Sequence, residues 1–96
     1  MIYEWDPQKA KANLRRHRLS FEEAATVFLD PLAVTYPDPD HSDDEFREIT
    51  FGHSAKHGVI FLSHTQRGDR IRIIGARKAT RRERKQYEES IGEEKQ

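Results

Sequence analysis

Three β-rich runs follow one another between Phe46 and Arg77, and together they constrain the fold more than any other feature. They read FREITFGH, GVIFLSHT and RIRIIGAR. The connectors are short: Ser-Ala-Lys-His at 54–57 and Gln-Arg-Gly-Asp at 66–69. Connectors of this length leave no room for a crossover, so neighbouring strands pair antiparallel and form a meander, with a tight hairpin at Gly68. The first run alternates, with Ile49 and Phe51 on one side and Glu48 and Thr50 on the other. The middle run is nearly continuous apolar and reads as the central strand. In the third, Ile71 and Ile73 oppose Arg70 and Arg72. If the isoleucines enter the core, both arginines stand on the far face.

Helices are predicted on either side. Asp6 and Pro7 open the first, through the run WDPQKAKANLRRHR, as N-cap and first helical residue. His17 sits at its C-terminal end, where a cation complements the dipole. Ser20 and Glu23 have capping-box spacing. Phe21, Ala24, Ala25 and Phe28 then fall on one helical face, and Leu29-Asp30-Pro31 ends that helix. Thr80 and Glu83 repeat the box before a third helix carrying Tyr87, expected to fray after Gly92. Ile2 to Trp5 suits a short edge strand, Leu32 to Tyr36 a weak one, and Pro37 to Asp44 a loop. The layout is α+β: two N-terminal helices, an antiparallel meander and a C-terminal helix, with the helices covering the face that bears Ile49 and Phe51. The 96 residues make one domain, taken as residues 1–92 with 93–96 as a frayed tail.

The net charge is zero, but it is segregated. From Pro37 to Glu48 there are six Asp/Glu against Arg47 alone; from Gln66 to Tyr87 there are nine Lys/Arg against Asp69 and Glu83. An anionic partner at one surface is the functional reading, and a solvated helix face the plain one. Arg70, Arg72, Arg77 and Lys78 at the last strand, then Arg81, Arg82, Arg84 and Lys85 on the helix, have the capacity to neutralise several phosphates. Arg suits bidentate phosphate contact. No helix-turn-helix or zinc-finger spacing is present, so single-stranded RNA is the first partner to consider. A protein partner at the same surface is the alternative.

Metal-independent RNA cleavage needs a base for the 2′-OH, cations for the phosphorane and a donor for the leaving oxygen. The candidates are His53, His57, Glu48 and Glu83 as acids or bases, Arg72, Arg77 and Lys78 as phosphate stabilisers, and Tyr87 for stacking or proton donation. Each has a plain reading as a surface residue, and Glu83 is already explained as a cap. His53 and His57, beside the loop with His41, lie in a turn and not on a helix, so no metal site and no cofactor are expected. Cysteine is absent. The N-terminus shows no basic-then-apolar leader and no run is long enough to span a bilayer, so a cytoplasmic protein is expected, with no membrane partner.

YEWDPQKAKANLRRH, LSFEEAATVF and RIRIIGARKATRRERKQYEE together resemble the BrnT toxins of bacterial toxin–antitoxin pairs. The resemblance implies a RelE-like fold and a ribonuclease that arrests growth. It also implies a cognate ribbon-helix-helix antitoxin (BrnA-like) through which the complex reaches operator DNA. Arg72, Arg77, Lys78, Glu83, Arg84 and Tyr87 match motif positions and carry the implied site; His17 and Glu22 match as structural residues. Arg18 stands where the family usually has Gly, and Gly75 where it usually has Ser. A left-handed Arg18 costs about 1–2 kcal/mol. A non-catalytic module whose basic face docks an antitoxin or nucleic acid, acting in a repressor complex, is the second reading.

Overall fold

The computed structural model describes residues 2–40 and 45–94; His41, within the acidic loop, lies outside them. The elements in chain order are β1 (Ile2–Glu4), α1 (Pro7–His17), α2 (Phe21–Ala25), a 3₁₀ turn (Thr26–Leu29), β2 (Val34–Pro37), β3 (Arg47–Ser54), β4 (Gly58–Arg67), β5 (Arg70–Lys78) and α3 (Arg81–Glu94). The expected meander forms, with β2, β3, β4 and β5 antiparallel in sequence order. β1 adds to the outer edge of β5 in parallel, so the five-stranded sheet is mixed, in the order β1-β5-β4-β3-β2. Gly68 turns the β4–β5 hairpin at φ +62°, a region that side chains with a Cβ rarely enter.

The helix starts follow their sequence signals. Asp6 accepts a hydrogen bond from the Gln8 N–H (2.9 Å), and Ser20 Oγ accepts from Glu23 N–H (3.0 Å). At α3 the box closes both ways: Glu83 N–H donates to Thr80 Oγ1 (3.1 Å) and Thr80 N–H to Glu83 Oε1 (2.8 Å). At the Ser20 box the reciprocal contact fails in part, because Glu23 Oε1 is buried without a partner. α1 ends on Arg18, which holds the left-handed conformation (φ 55°, ψ 36°) and donates its N–H to Leu14 O (2.8 Å).

One expectation is reversed. The N-terminal helices do not cover Ile49 and Phe51. They pack on the opposite face, where Leu19, Phe21, Ala24 and Val27 meet Ile60, Leu62, Ile73 and Ala76 in the core. On β3 that inner face presents Thr50 and Gly52. A Cβ at Gly52 would lie 3.1 Å from Ala33 Cβ and 3.2 Å from Val27, so the 3₁₀ turn seats directly on the strand. Thr50 is buried because its hydroxyl joins Thr35 Oγ1 (2.8 Å) and His64 Nε2 (2.7 Å). His64 therefore lies inside β4 as a buried core residue. α3, expected among the helices of one layer, lies over the other face, its Glu83 bonded to Arg77 and its wall facing Val34, Tyr36 and Phe51.

Candidate active site

The outer face of the sheet carries the functional candidates in a cross-strand row. The β3–β4 register places Phe51 opposite Phe61, and the β4–β5 register places Phe61 opposite Arg77. The rings meet edge to face (Phe51–Phe61 5.5 Å, Tyr36–Phe51 6.4 Å), and the Arg77 guanidinium carbon stands 4.0 Å above the Phe61 ring. β5 thus delivers Arg77 onto an aromatic floor.

α3 then fixes that arginine. Nη1 donates to Glu83 Oε1 (2.8 Å) and Nη2 to Glu83 Oε2 (3.0 Å), a two-bond fork. Bonding to Arg77 holds the Glu83 carboxyl below the usual carboxylate range, helped by Thr80 and opposed by partial burial. One turn on, Tyr87 is buried, and its hydroxyl donates to Asp30 Oδ2 (2.5 Å). The same oxygen accepts the His53 backbone N–H (2.8 Å), while Oδ1 accepts Leu32 N–H (2.9 Å). Burial pushes the Asp30 carboxyl up, but these three donors outweigh it and the net direction is down. Burial first, and the Asp30 carboxylate second, push the Tyr87 phenol far up, so it stays a neutral donor. The exposed His53 imidazole packs edge-on against Tyr87 at 5.5 Å.

The candidates are only partly convergent. Arg77, Glu83 and Tyr87 come together, with His53 and Asp30. Lys78 is exposed at the end of β5, and its carbonyl accepts from Arg77 Nη1 (3.3 Å). His57, in the β3–β4 turn, lies at the same end of the sheet, since Gly58 begins β4 where Lys78 ends β5. Its backbone N–H is held by Ser54 Oγ (2.8 Å). Arg72 shares the outer face with Arg77 because the strand bulges opposite Ser63 and His64, but it lies four β4 positions away, about 13 Å. It pairs loosely with Glu4 (3.8 Å). Arg70 is farther still, beside the hairpin. On α3 the 100° step turns Arg81 and Lys85 away from the face bearing Glu83 and Tyr87, with Arg82 and Arg84 on its two flanks. All four are exposed and make no ion pair among the described residues. The cations expected on one surface therefore form two groups, one on the sheet and one on the outer side of α3.

Two roles read from sequence change. The Tyr87 ring, 2 % exposed, offers no face for a base to stack on. Glu83 has both oxygens engaged, which makes it a poor proton acceptor. Sequence reasoning missed Asp30, taken there only as a helix terminator, and Asn13, which ties α1 to Leu19 O (3.0 Å) and to the Ala76 N–H (3.1 Å). Gly75 faces open space, so nothing steric requires glycine there.

A family model described as the ribonuclease toxin BrnT of type II toxin–antitoxin systems matches residues 5–83. The chain belongs to the BrnT family. The matched span closes on Glu83 and stops short of Arg84, Lys85 and Tyr87. The crystal structure of the Brucella abortus ribonuclease toxin BrnT superimposes with a TM-score of 0.66 at 20 % identity, covering 84 % of this chain and all of that one. At that identity the likeness is one of fold, and it makes the α+β architecture that of a BrnT protein. No curated protein matches the sequence. Among the described residues no helix is long and apolar enough to cross a membrane, and no group of three or more metal-ligating side chains occurs.

Proposed function

We propose that this BrnT-family chain is a metal-independent endoribonuclease that cuts RNA at the outer face of its sheet and thereby arrests growth. The observation that carries this reading is the Arg77 guanidinium, fixed by the Glu83 fork over Phe61, with Lys78 exposed at the same end of β5. A cation held before substrate arrives stabilises a phosphorane without reorganising. In the step, the ribose 2′ oxygen bonds to the adjacent phosphorus as a base takes its proton. The bond to the 5′ oxygen breaks as an acid returns a proton, leaving a 2′,3′-cyclic phosphate and a 5′-hydroxyl. Arg77 and Lys78 receive the phosphate, and His57, at the same sheet end, serves the proton transfers with His53 as its neighbour across the turn. Glu83 positions Arg77, and Tyr87 positions Glu83 by pinning α3. Arg72 and Arg70 lie where flanking phosphates would run, while Arg81, Arg82, Arg84 and Lys85 raise the local RNA concentration through their field. The partner is a ribbon-helix-helix antitoxin, and operator DNA is reached only through it.

Purified protein incubated with RNA tests this. Cleavage should persist with a chelator and disappear in Arg77→Ala. Cleavage that survives Arg72→Ala, Arg77→Ala and Lys78→Ala together places the site elsewhere.

One observation favours the second reading, a non-catalytic module that docks antitoxin or nucleic acid. Arg77 and Arg72 already have carboxylate partners, and among the described contacts no imidazole touches Arg77. Intact RNA at high protein concentration, with a stable antitoxin complex, selects that reading.

A further inference from the structure

Between the outer face of β2–β3 and the inner wall of α3 runs an open cleft of about 510 Å³. Its sheet side is Val34, Tyr36 and Phe51; its helix side is Glu83, Gln86, Tyr87, Glu89 and Ser90. We propose that this cleft is a nucleobase pocket of the RNA substrate and that it selects guanine. The proposal rests on the RNA-cleaving reading and adds a base preference to it.

Size and position come first. The volume lies within the range of small-ligand sites and accommodates a base with its ribose. Phe51 and Arg77 are two strands apart, about 10 Å. A phosphate at Arg77 and Lys78 therefore leaves its neighbouring base over Phe51. Tyr36 is half exposed on the edge strand, and such aromatic faces are where single-stranded bases stack.

The helix wall supplies the discrimination. Glu83 is engaged on both oxygens, since Oε1 takes Arg77 Nη1 and Thr80 N–H while Oε2 takes Arg77 Nη2. Glu89 is exposed and has no ion pair among the described residues. Its carboxylate is acceptor-only. Guanine presents two adjacent donors on its Watson–Crick edge, N1–H and the 2-amino group, which match the two oxygens of a carboxylate. Uracil flanks its single donor with acceptors, and adenine and cytosine place an acceptor beside their amino group. Each of these sets a lone pair against Glu89. Gln86, one turn earlier, suits the guanine O6.

The experiment measures binding of short single-stranded oligoribonucleotides made uncleavable by one 2′-deoxy substitution and differing only in the base at that position. Cleavage of the all-ribose versions is followed in parallel. The wild-type protein should bind the guanine oligonucleotide roughly 10-fold or more tightly than the uracil one. Glu89→Gln should bring the four bases within about threefold, weakening guanine binding while the uracil oligonucleotide, no longer set against a carboxylate, binds at least as tightly as to the wild type. Tyr36→Ala should weaken all four. Equal wild-type binding of the four bases, with cleavage intact, overturns the pocket and leaves the ribonuclease. A guanine preference that survives Glu89→Gln also overturns it, as does a loss of antitoxin affinity in these variants with no change toward RNA. A wild-type protein that neither binds nor cuts RNA sinks both readings.

Discussion

The Tyr87 hydroxyl donates to Asp30 Oδ2 at 2.5 Å, and that oxygen also takes the backbone N–H of His53. One carboxylate thus joins the C-terminal helix, the end of the 3₁₀ turn and the third strand. α3 has few other attachments, chiefly the Glu83–Arg77 fork. The placement of Arg77 depends on two polar clasps one helical turn apart.

Tyr87→Phe keeps the ring and removes one donor. Asp30 retains its two backbone donors, so the loss should be about 1–2 kcal/mol. α3 should loosen more than the sheet, because the clasp is local. Hydrogen exchange resolved along the chain checks this: residues 81–94 should exchange faster while β4 and β5 keep their protection. Uniform acceleration across the sheet would show that Tyr87 stabilises the whole fold rather than docking the helix.

Arg77→Ala should abolish RNA cleavage and cost about 1 kcal/mol of stability, since the fork is partly solvated. Glu83 adds a pH signature. Its bonds to Arg77 hold the folded-state carboxyl below the usual carboxylate range, so its contribution is complete above that range and fades as the pH falls through the lowered value. In Arg77→Ala the acid limb of a stability–pH curve should therefore flatten, the gap to the wild type narrowing as the pH falls. An unchanged limb would mean that the fork contributes nothing in solution.

The strands and helix starts were legible because local physics sets them. Alternation marks β3 and β5, and Asp6, Ser20 and Thr80 cap the helices that follow them. The assignment of sheet faces was not legible. On β3 the larger apolar residues, Ile49 and Phe51, turn outward, and the core takes Thr50 and Gly52. Residue size misleads there: a close-packed 3₁₀ turn needs a glycine, and a threonine bonded on both sides is cheap to bury. The site was half legible. A crowd of cations points to phosphate, but a count of charges does not give direction. Arg77 turned to Glu83, and α3 rotated its own cations outward. Asp30 and Tyr87 meet across 57 positions of sequence, and nothing local in either segment signals the contact.

Arg18 holds the left-handed C-cap of α1 at φ 55°. Its Cβ is strained there, and the side chain is exposed and makes no ion pair among the described residues. Arg18→Gly should therefore stabilise the protein by about 1 kcal/mol, the relief of strain exceeding the entropy added to the unfolded chain. Chemical denaturation of the two proteins side by side checks the sign. A loss of stability would show that the Arg18 side chain makes a favourable contact that outweighs the backbone strain.

His64 gives the sharpest pH prediction. Burial inside β4, against Thr50 and the edge of the Phe28 ring, lowers its pKa from 6.5 to about 4. In the folded protein the imidazole stays neutral as the pH falls from 6.5 to 4, whereas the unfolded chain takes up a proton near 6.5. The stability tied to this residue is complete above pH 6.5 and is lost progressively down to the folded value. A tenfold change in proton affinity is ~1.4 kcal/mol, so the full loss is on the order of 3 kcal/mol, of which about 2 falls between pH 7 and 5. Carboxylates are still ionised through most of that window, and among the described residues His17, His53 and His57 are more exposed than His64. His64→Gln keeps a hydrogen-bonding partner for Thr50 without a titrating ring. Urea unfolding at pH 7 and pH 5 should show the wild type losing about 2 kcal/mol more than the variant. Equal losses in the two proteins would mean that another group sets the acid sensitivity of the fold.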